Sequence, residues 1–146
     1  HGGIKNVNPD TMEIETDLET FKADAASVVP AQKAGAIAAA AGVTDGDWCP
    51  IFAESMQSRA DENIFVLGDA SLATSMPKSA FSANSQAKVA ANNIRGALTD
   101  SRVFDARYSN TCWSLIATND GIKVGANYKG GDEKIDVVDK FVSSND

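Results

Sequence analysis

Gly68-Asp69, closing the apolar run Ile64-Phe-Val-Leu67, is the first place in this chain where residue type and spacing point to chemistry. Ligands of open α/β sheets sit at the C-terminal ends of strands. A glycine there lets a ligand approach the backbone closely, and a carboxylate accepts hydrogen bonds from sugar-like hydroxyls. The same dipeptide also suits a plain turn in which Asp69 caps local backbone groups. Further on, Met76-Pro-Lys-Ser79 enters a long Ala-rich stretch. Ser79 fits the N-cap position, and the free amides of a helix start favour an anion or an electron-rich carbonyl. Lys78 and the helix dipole would stabilise negative charge developing at that point; an ordinary cap beside a solvated lysine is the alternative. The third candidate is Asn110-Thr-Cys-Trp-Ser114. Its cysteine is either a redox thiol activated by nearby positive charge or a small buried hydrophobe. Cys49, between Trp48 and Pro50, has the same two readings, and neither cysteine belongs to a Cys-x-x-Cys pair.

The elements that must position these residues follow from the hydrophobic pattern. Thr11-Met-Glu-Ile-Glu-Thr16 alternates and predicts a half-buried strand. Phe21–Asp24, continued by Ala25–Val29, predicts a second extended run stopped by Pro30, the two forming an antiparallel edge without chemistry. Gln32–Ala41 is Ala-rich, with Gly42 placed as a helix stop, and Thr44–Pro50 reads as a loop. Ile64–Leu67 predicts a strand buried on both faces. A helix is expected from about Ser79 to about Leu98, with Ala80, Ala83, Ala87, Ala90, Ala91 and Ile94 at helical spacing. So many small residues on one side imply close approach of a backbone or a flat ligand. After a charged connector over Asp100–Arg107, Thr111–Ala117 and Ile122–Tyr128 read as strands with Gly121 marking the turn. The remainder, Gly130–Asp146, reads as a polar tail with Val137-Val138 and Phe141-Val142 as docking points.

Bulk properties exclude several functions. The chain has 146 residues, 43% hydrophobic and 23% charged, which suits one ordinary domain or two small lobes. A net charge of −7 argues against nucleic acid and suits a basic partner or simple solubility. No stretch approaches the roughly 20 apolar residues that span a bilayer. The sole histidine, His1, leaves no room for a Ser-His-Asp or Cys-His arrangement or a His-rich metal site. Two cysteines are too few for a structural zinc site or a disulfide framework; pairing with each other, or of one with a cysteine elsewhere, stays open. The opening His-Gly-Gly-Ile, without Met, reads as a processed product or a piece of a longer protein.

Taken together, a series of short motifs carries a resemblance. Ala31-Gln-Lys-Ala-Gly35, Asp47-Trp-Cys-Pro50, Gly68-Asp-Ala-Ser71, Met76-Pro-Lys-Ser79, Ser82-Ala-Asn-Ser-Gln86, Lys88-Val-Ala90, Asn110-Thr-Cys112 and Ser114-Leu-Ile-Ala117 occur in one order. Across roughly residues 20–129 the chain resembles the C-terminal third of the flavoprotein subunit of flavocytochrome c sulfide dehydrogenase. The resemblance implies an α+β piece of a glutathione-reductase-type FAD fold: a few strands, one long Ala-rich helix and a small β-rich C-terminal module. Residues 1–104 would carry the Gly-Asp flavin motif and 105–146 an incomplete flavin-binding module. Gly68 and Asp69 would then hold the ribityl chain of FAD. Pro77, Lys78, Ser79 and Ala80 would lie beside the pyrimidine end of its ring. Cys112 would form a redox disulfide with a cysteine outside this chain, Cys49 being structural. The resemblance further implies oxidation of sulfide to sulfur, a c-type cytochrome subunit as electron acceptor, and a periplasmic location, which suits a disulfide.

The Gly-x-Gly-x-x-Gly turn for the FAD pyrophosphate is not among these residues. The FAD site is therefore incomplete here, the piece is expected to be inactive by itself, and apolar surface left uncovered favours self-association. Two other readings compete. One is a sulfide:quinone or NADH:quinone reductase, disfavoured because Asp132–Asp146 has no apolar-basic face for a membrane surface. The other is a non-enzymatic α+β interaction domain in which Gly68-Asp69 and Cys112 are structural.

Overall fold

A computed structural model describes residues 3–144, which divide into two compact units, His1–Lys33 and Ala34–Asp146. The first unit holds three short antiparallel strands in the order β1 (Ile4–Asn8), β2 (Glu13–Thr16) and β3 (Thr20–Lys22). Asn8 turns the chain by accepting the N–H groups of Asp10 and Thr11 on Oδ1. Met12 sits in the left-handed region at φ 58, so β2 begins at Glu13 and not at Thr11. The expected extension of the next run through Ala25–Val29 does not form: regular pairing ends at Lys22. Alanine and Asp24 offer a pleated surface few of the branched or aromatic side chains that stabilise it.

In the second unit, helix α1 covers only Ala36–Ala40, shorter than the expected Gln32–Ala41. The stretch before it is drawn into loop contacts instead, where Ala34 N–H donates to the Asp47 carbonyl at 2.8 Å. Gly42 ends the turn at φ 70, the left-handed position that glycine takes at helix C-termini. Ala34, Val43 and Cys49 are buried together there, against Trp48 and Ile64.

Ile64–Leu67 is not a strand. Its only ladder contact is one bridge, Phe65 to Gln57; Ile64, Phe65 and Val66 are half-buried and Leu67 is 37% exposed. A strand exists only through neighbours that complete its ladder, and the stretch alongside, Met56–Ser58, is too short and irregular to do so. The apolar run serves as extended packing: Val66 N–H reaches the Met56 carbonyl at 3.0 Å.

Helix α2 runs over Ala80–Thr99 behind Ser79, whose side chain accepts the Ser82 N–H at 3.1 Å. It ends at Asp100, at φ 52. The buried side of α2 corrects the expected alanine stripe in part: Ser82, Ser85, Gln86, Val89, Ala90 and Gly96 are buried, so Ala90 holds its expected place, Ala83 and Ala87 are half-buried, and the rest of the face is polar. Ala80 and Ala91 are exposed and Ile94 is 38% exposed. Close approach does occur, but on this polar side: a Cβ at Gly96 would collide with Val103.

Three long antiparallel strands complete the unit: β4 (Arg107–Ala117), β5 (Asp120–Gly130) and β6 (Ile135–Ser144), in that order. β4 opens at Arg107, so that residue belongs to the sheet and not to the connector. The β4–β5 turn is centred on Thr118-Asn119, with Asn119 at φ 66, and Gly121 lies within β5. The expected polar tail is the strand β6, paired with β5 from Ile135↔Gly130 to Ser144↔Ile122. Gly125 lets Phe141 of β6 cross it, since a Cβ there would strike the Phe141 ring and the Asn110 carbonyl. The core joins this sheet to α2 through Tyr108, Ala126, Tyr128, Ile135, Val89 and Met56. Tyr108 anchors it by donating its hydroxyl to the Ala53 carbonyl at 2.5 Å. The class is α+β. No helix among the described residues is long and apolar enough to cross a membrane.

Candidate functional site

Gly68 carries the chain round a single tight turn, Gly68–Ala70, from extended Leu67 to extended Ser71. Its φ of 71 lies in the left-handed region, and a Cβ there would stand 3.3 Å from the Ala83 methyl. Only glycine takes this conformation at little cost. Two bonds hold the turn against α2. The buried Gly68 N–H donates to Gln86 Oε1 at 2.7 Å, and Ser71 Oγ donates back to the Gly68 carbonyl at 2.8 Å. Asp69 is exposed at the turn's outer corner, with its carboxylate open to a ligand hydroxyl.

Lys78 does not stand free in solvent. Its ammonium donates to the carbonyls of Asp69 (2.5 Å) and Ser71 (3.0 Å) and sits 3.7 Å above the Trp48 ring. Burial pushes its pKa down, while Asp69 and then Cys49 oppose that shift. Burial likewise pushes the Cys49 thiol up, with Lys78 partly offsetting it. The lysine therefore clamps the Gly68 turn to the approach of α2, and its charge is shared among carbonyl oxygens and an indole face. Beyond Pro77 the helix starts. Ser79 takes the Ser82 amide, while the N–H groups of Ala80 and Phe81 find no partner among the described residues. Those two amides are the free donors of the helix start.

Cys112 lies on β4, on the sheet face that also carries Tyr108 and Asn110. The inner face becomes exposed at Cys112, unlike Tyr108 and Asn110 before it. Asn110 connects the cysteine to the helix start. Its Oδ1 accepts the hydroxyls of Ser79 (2.6 Å) and Ser82 (3.0 Å), and its Nδ2 lies 3.3 Å from Cys112 Sγ. Burial pushes the Tyr128 hydroxyl upward, and the Cys112 sulfur adds to that shift.

Gly68, Pro77, Lys78 and Ser79 line one cleft of about 70 Å³ together with Ser82 and Gln86. Pro77 also borders a larger open hollow of about 550 Å³ lined by Asn110, Cys112, Tyr128 and Lys140. Asp69 and Ala80 are exposed beside the first cleft and are not part of its wall. The fold thus gathers the turn, the helix start and the cysteine within one unit. Sequence reasoning assigned no role to Gln86, Ser82 or Asn110. Ser82, Gln86 and Val89 fall on one helical face, which is the signal that the first two carried.

This geometry offers free amides and a carboxylate for a polar, electron-accepting ligand, with a thiol within the same unit. Residues 104–146, which include Asn110, Cys112 and all of β4–β6, match the family described as flavocytochrome c sulphide dehydrogenase, flavin-binding. The match reaches through β6, so the segment after Gly130 falls within the matched module and is more than the polar tail expected from its composition. Residues 104–146 are thus similar to the flavin-binding module of flavocytochrome c sulphide dehydrogenase, and that match supports a flavin as the cofactor.

Proposed function

We propose that the chain supplies the ribityl and ring side of an FAD site, in a glutathione-reductase-type flavoprotein that oxidises sulfide to sulfur. The observation that carries this reading is the connection from Ser79 at the start of α2, through Asn110, to Cys112 on the flavin-binding module. Asp69 would take ribityl hydroxyls, and the amides of Ala80 and Phe81 would face the electron-rich carbonyl edge of the ring. Charge that accumulates there on reduction is favoured by the helix N-terminus. Flavin supplies a two-electron acceptor when bound.

Cys112 is exposed whereas Cys49 is fully buried among Ala34 and Val43, so the second thiol of the redox disulfide comes from outside this chain. Hydrosulfide attacks that disulfide. One S–S bond forms in a persulfide as the original S–S bond breaks, and the displaced sulfur leaves as a thiolate. A second hydrosulfide would take the outer, zero-valent sulfur of the persulfide and release the second thiolate. Closing the two thiolates back to the disulfide gives up an electron pair, for which a bound flavin would be the acceptor and a c-type cytochrome subunit the next carrier. A periplasmic setting accords with the disulfide.

The test is Cys112→Ser in the intact flavoprotein. Flavin should still bind, while sulfide should no longer bleach its visible absorption or drive cytochrome c reduction. Wild-type turnover by that variant sinks the reading.

A further inference from the structure

We infer that Asn110 is the positioning residue for the sulfur of Cys112, aimed by two serines of the α2 start. The inference rests on the reaction proposed at Cys112 and names the group that would steady the Cys112 sulfur as a thiolate once the disulfide opens. Asn110 is 4% exposed and Ser82 1% exposed, so the amide cannot turn to water for its partners. Two hydroxyl donors fill both lone pairs of Oδ1. The amide's other end is thereby fixed toward Sγ at 3.3 Å. The thiolate is the nucleophilic form of a cysteine, and an N–H aimed at sulfur favours a charged acceptor over a neutral one.

The opposite side of the sulfur is open to the hollow, where a reagent can approach. Tyr128 from β5 and Lys140 from β6 are the titratable groups lining that hollow. From α2, Ser79 and Ser82 contribute hydroxyls only. The segment that matches the flavin-binding family includes both Asn110 and Cys112. Ser79 also caps α2, so the same serine that marks the helix start holds the amide that addresses the thiol.

S-alkylation of the 146-residue chain by iodoacetamide, read by peptide mass, tests this without flavin or sulfide. Cys49, 0% exposed, reports unfolding in the same experiment. Asn110→Asp keeps an acceptor for both serines but has no N–H; Asn110→Leu has neither, and carries no charge. Both variants should alkylate Cys112 about tenfold more slowly at neutral pH, with the rate–pH curve displaced to higher pH and Cys49 still protected. Ser82→Ala, which keeps the cap, should slow it by a smaller factor. The inference is overturned if Asn110→Leu matches wild type in rate and pH profile, even where Asn110→Asp is slow, because charge repulsion then explains the latter. It is also overturned if the slowing comes only with exposure of Cys49. Failure here leaves the Cys112→Ser test of the reaction untouched, and failure of that test leaves this result standing.

Discussion

Replacing Gln86 by Leu isolates the link that holds the Gly68 turn. Gln86 is 1% exposed, and its Oε1 is the acceptor for the buried Gly68 N–H at 2.7 Å. Its other end makes only a weak contact, Nε2 to Met76 Sδ at 3.7 Å. Leucine fills similar space but accepts nothing. The Gly68 N–H cannot swing to another acceptor, because both the Ser71 N–H and the Ser71 hydroxyl hold the Gly68 carbonyl and the φ of 71 fixes the turn. An unsatisfied buried donor costs about 1–3 kcal/mol. The extra apolar character of leucine returns up to about 1 kcal/mol. A net loss of about 1–2 kcal/mol is expected, or roughly 4–8 °C in Tm for a unit of this size. Urea denaturation followed by circular dichroism measures it. Asn84→Ala, on the exposed side of the same helix, should stay within about 0.5 kcal/mol of wild type. If Gln86→Leu also stays within that range, the Gly68–Gln86 bond does not hold the turn and the account of the site's preorganisation is wrong.

Ser79→Ala removes the cap of α2 and should cost about 1 kcal/mol in the same denaturation assay. Gly68→Ala forces a Cβ into the left-handed region and should cost about 1–2 kcal/mol, whereas Gly125→Ala should cost more, because the Phe141 ring and the Asn110 carbonyl already occupy that space. Tyr108→Phe should lose about 1 kcal/mol at neutral pH by orphaning the Ala53 carbonyl. Burial raises the Tyr108 hydroxyl above its ordinary value of 10.0, so the folded state holds that proton more tightly than the unfolded chain. Its contribution is complete below about pH 10 and declines as pH rises. Cys49 and Tyr128 act with the same sign, and Lys78, shifted down, acts against them. Stability measured across the alkaline range should therefore fall less steeply in Tyr108→Phe than in wild type. Phe81, Leu98, Trp113 and Leu115 are 42%, 80%, 68% and 79% exposed; sedimentation should show the isolated chain associating with rising concentration, and a monomer throughout would refute that.

Local signals were legible in the sequence and long-range ones were not. Ser79 and the helix behind it could be read because a cap and a 3.6-residue period are written within a few residues of each other. The strands over Thr111–Ala117 and Ile122–Tyr128 were legible for the same reason, although each extends further in the structure. Ile64–Leu67 misled because composition cannot supply the neighbouring strands that pairing requires. β6 escaped because Asp136, Asp139 and Lys140 break its apolar pattern, and all three face partial or full exposure. The alanine stripe of α2 marked only part of the buried face, Ala90 with Ala83 and Ala87 half-buried, and missed the serines and Gln86 beside it, since hydrophobicity ranks alanine above serine while hydrogen bonding favours serine at this interface. Gln86 meets a partner 18 residues away and Asn110 meets one 31 residues away, distances over which residue type alone carries no pairing information.

The polar side of α2 explains how the candidate site keeps its shape. Ser82, Ser85 and Gln86 are buried, and each finds a partner: Ser82 and Asn110, Ser85 and the Ser109 amide, Gln86 and the Gly68 amide. No buried side-chain polar atom among the described residues is left without one. An apolar face could slide by a residue at small cost, because dispersion contacts are not directional. A face of paired donors and acceptors cannot, since any shift orphans several groups at once. Small apolar substitutions at Ser82 or Ser85 should therefore cost less in stability than in the definition of the site. Ser85→Ala should unfold within about 1–2 kcal/mol of wild type, yet it frees the Ser109 amide of β4, next to Asn110. Amide exchange measured at Ser109 and Thr111 separates the two effects. Faster exchange at those amides, with α2 itself unchanged, is the expected outcome. Uniform acceleration across α2 and β4 would instead mean that the serines merely contribute to global stability, and that the register of helix and sheet is set by Val89, Tyr108 and the rest of the apolar core.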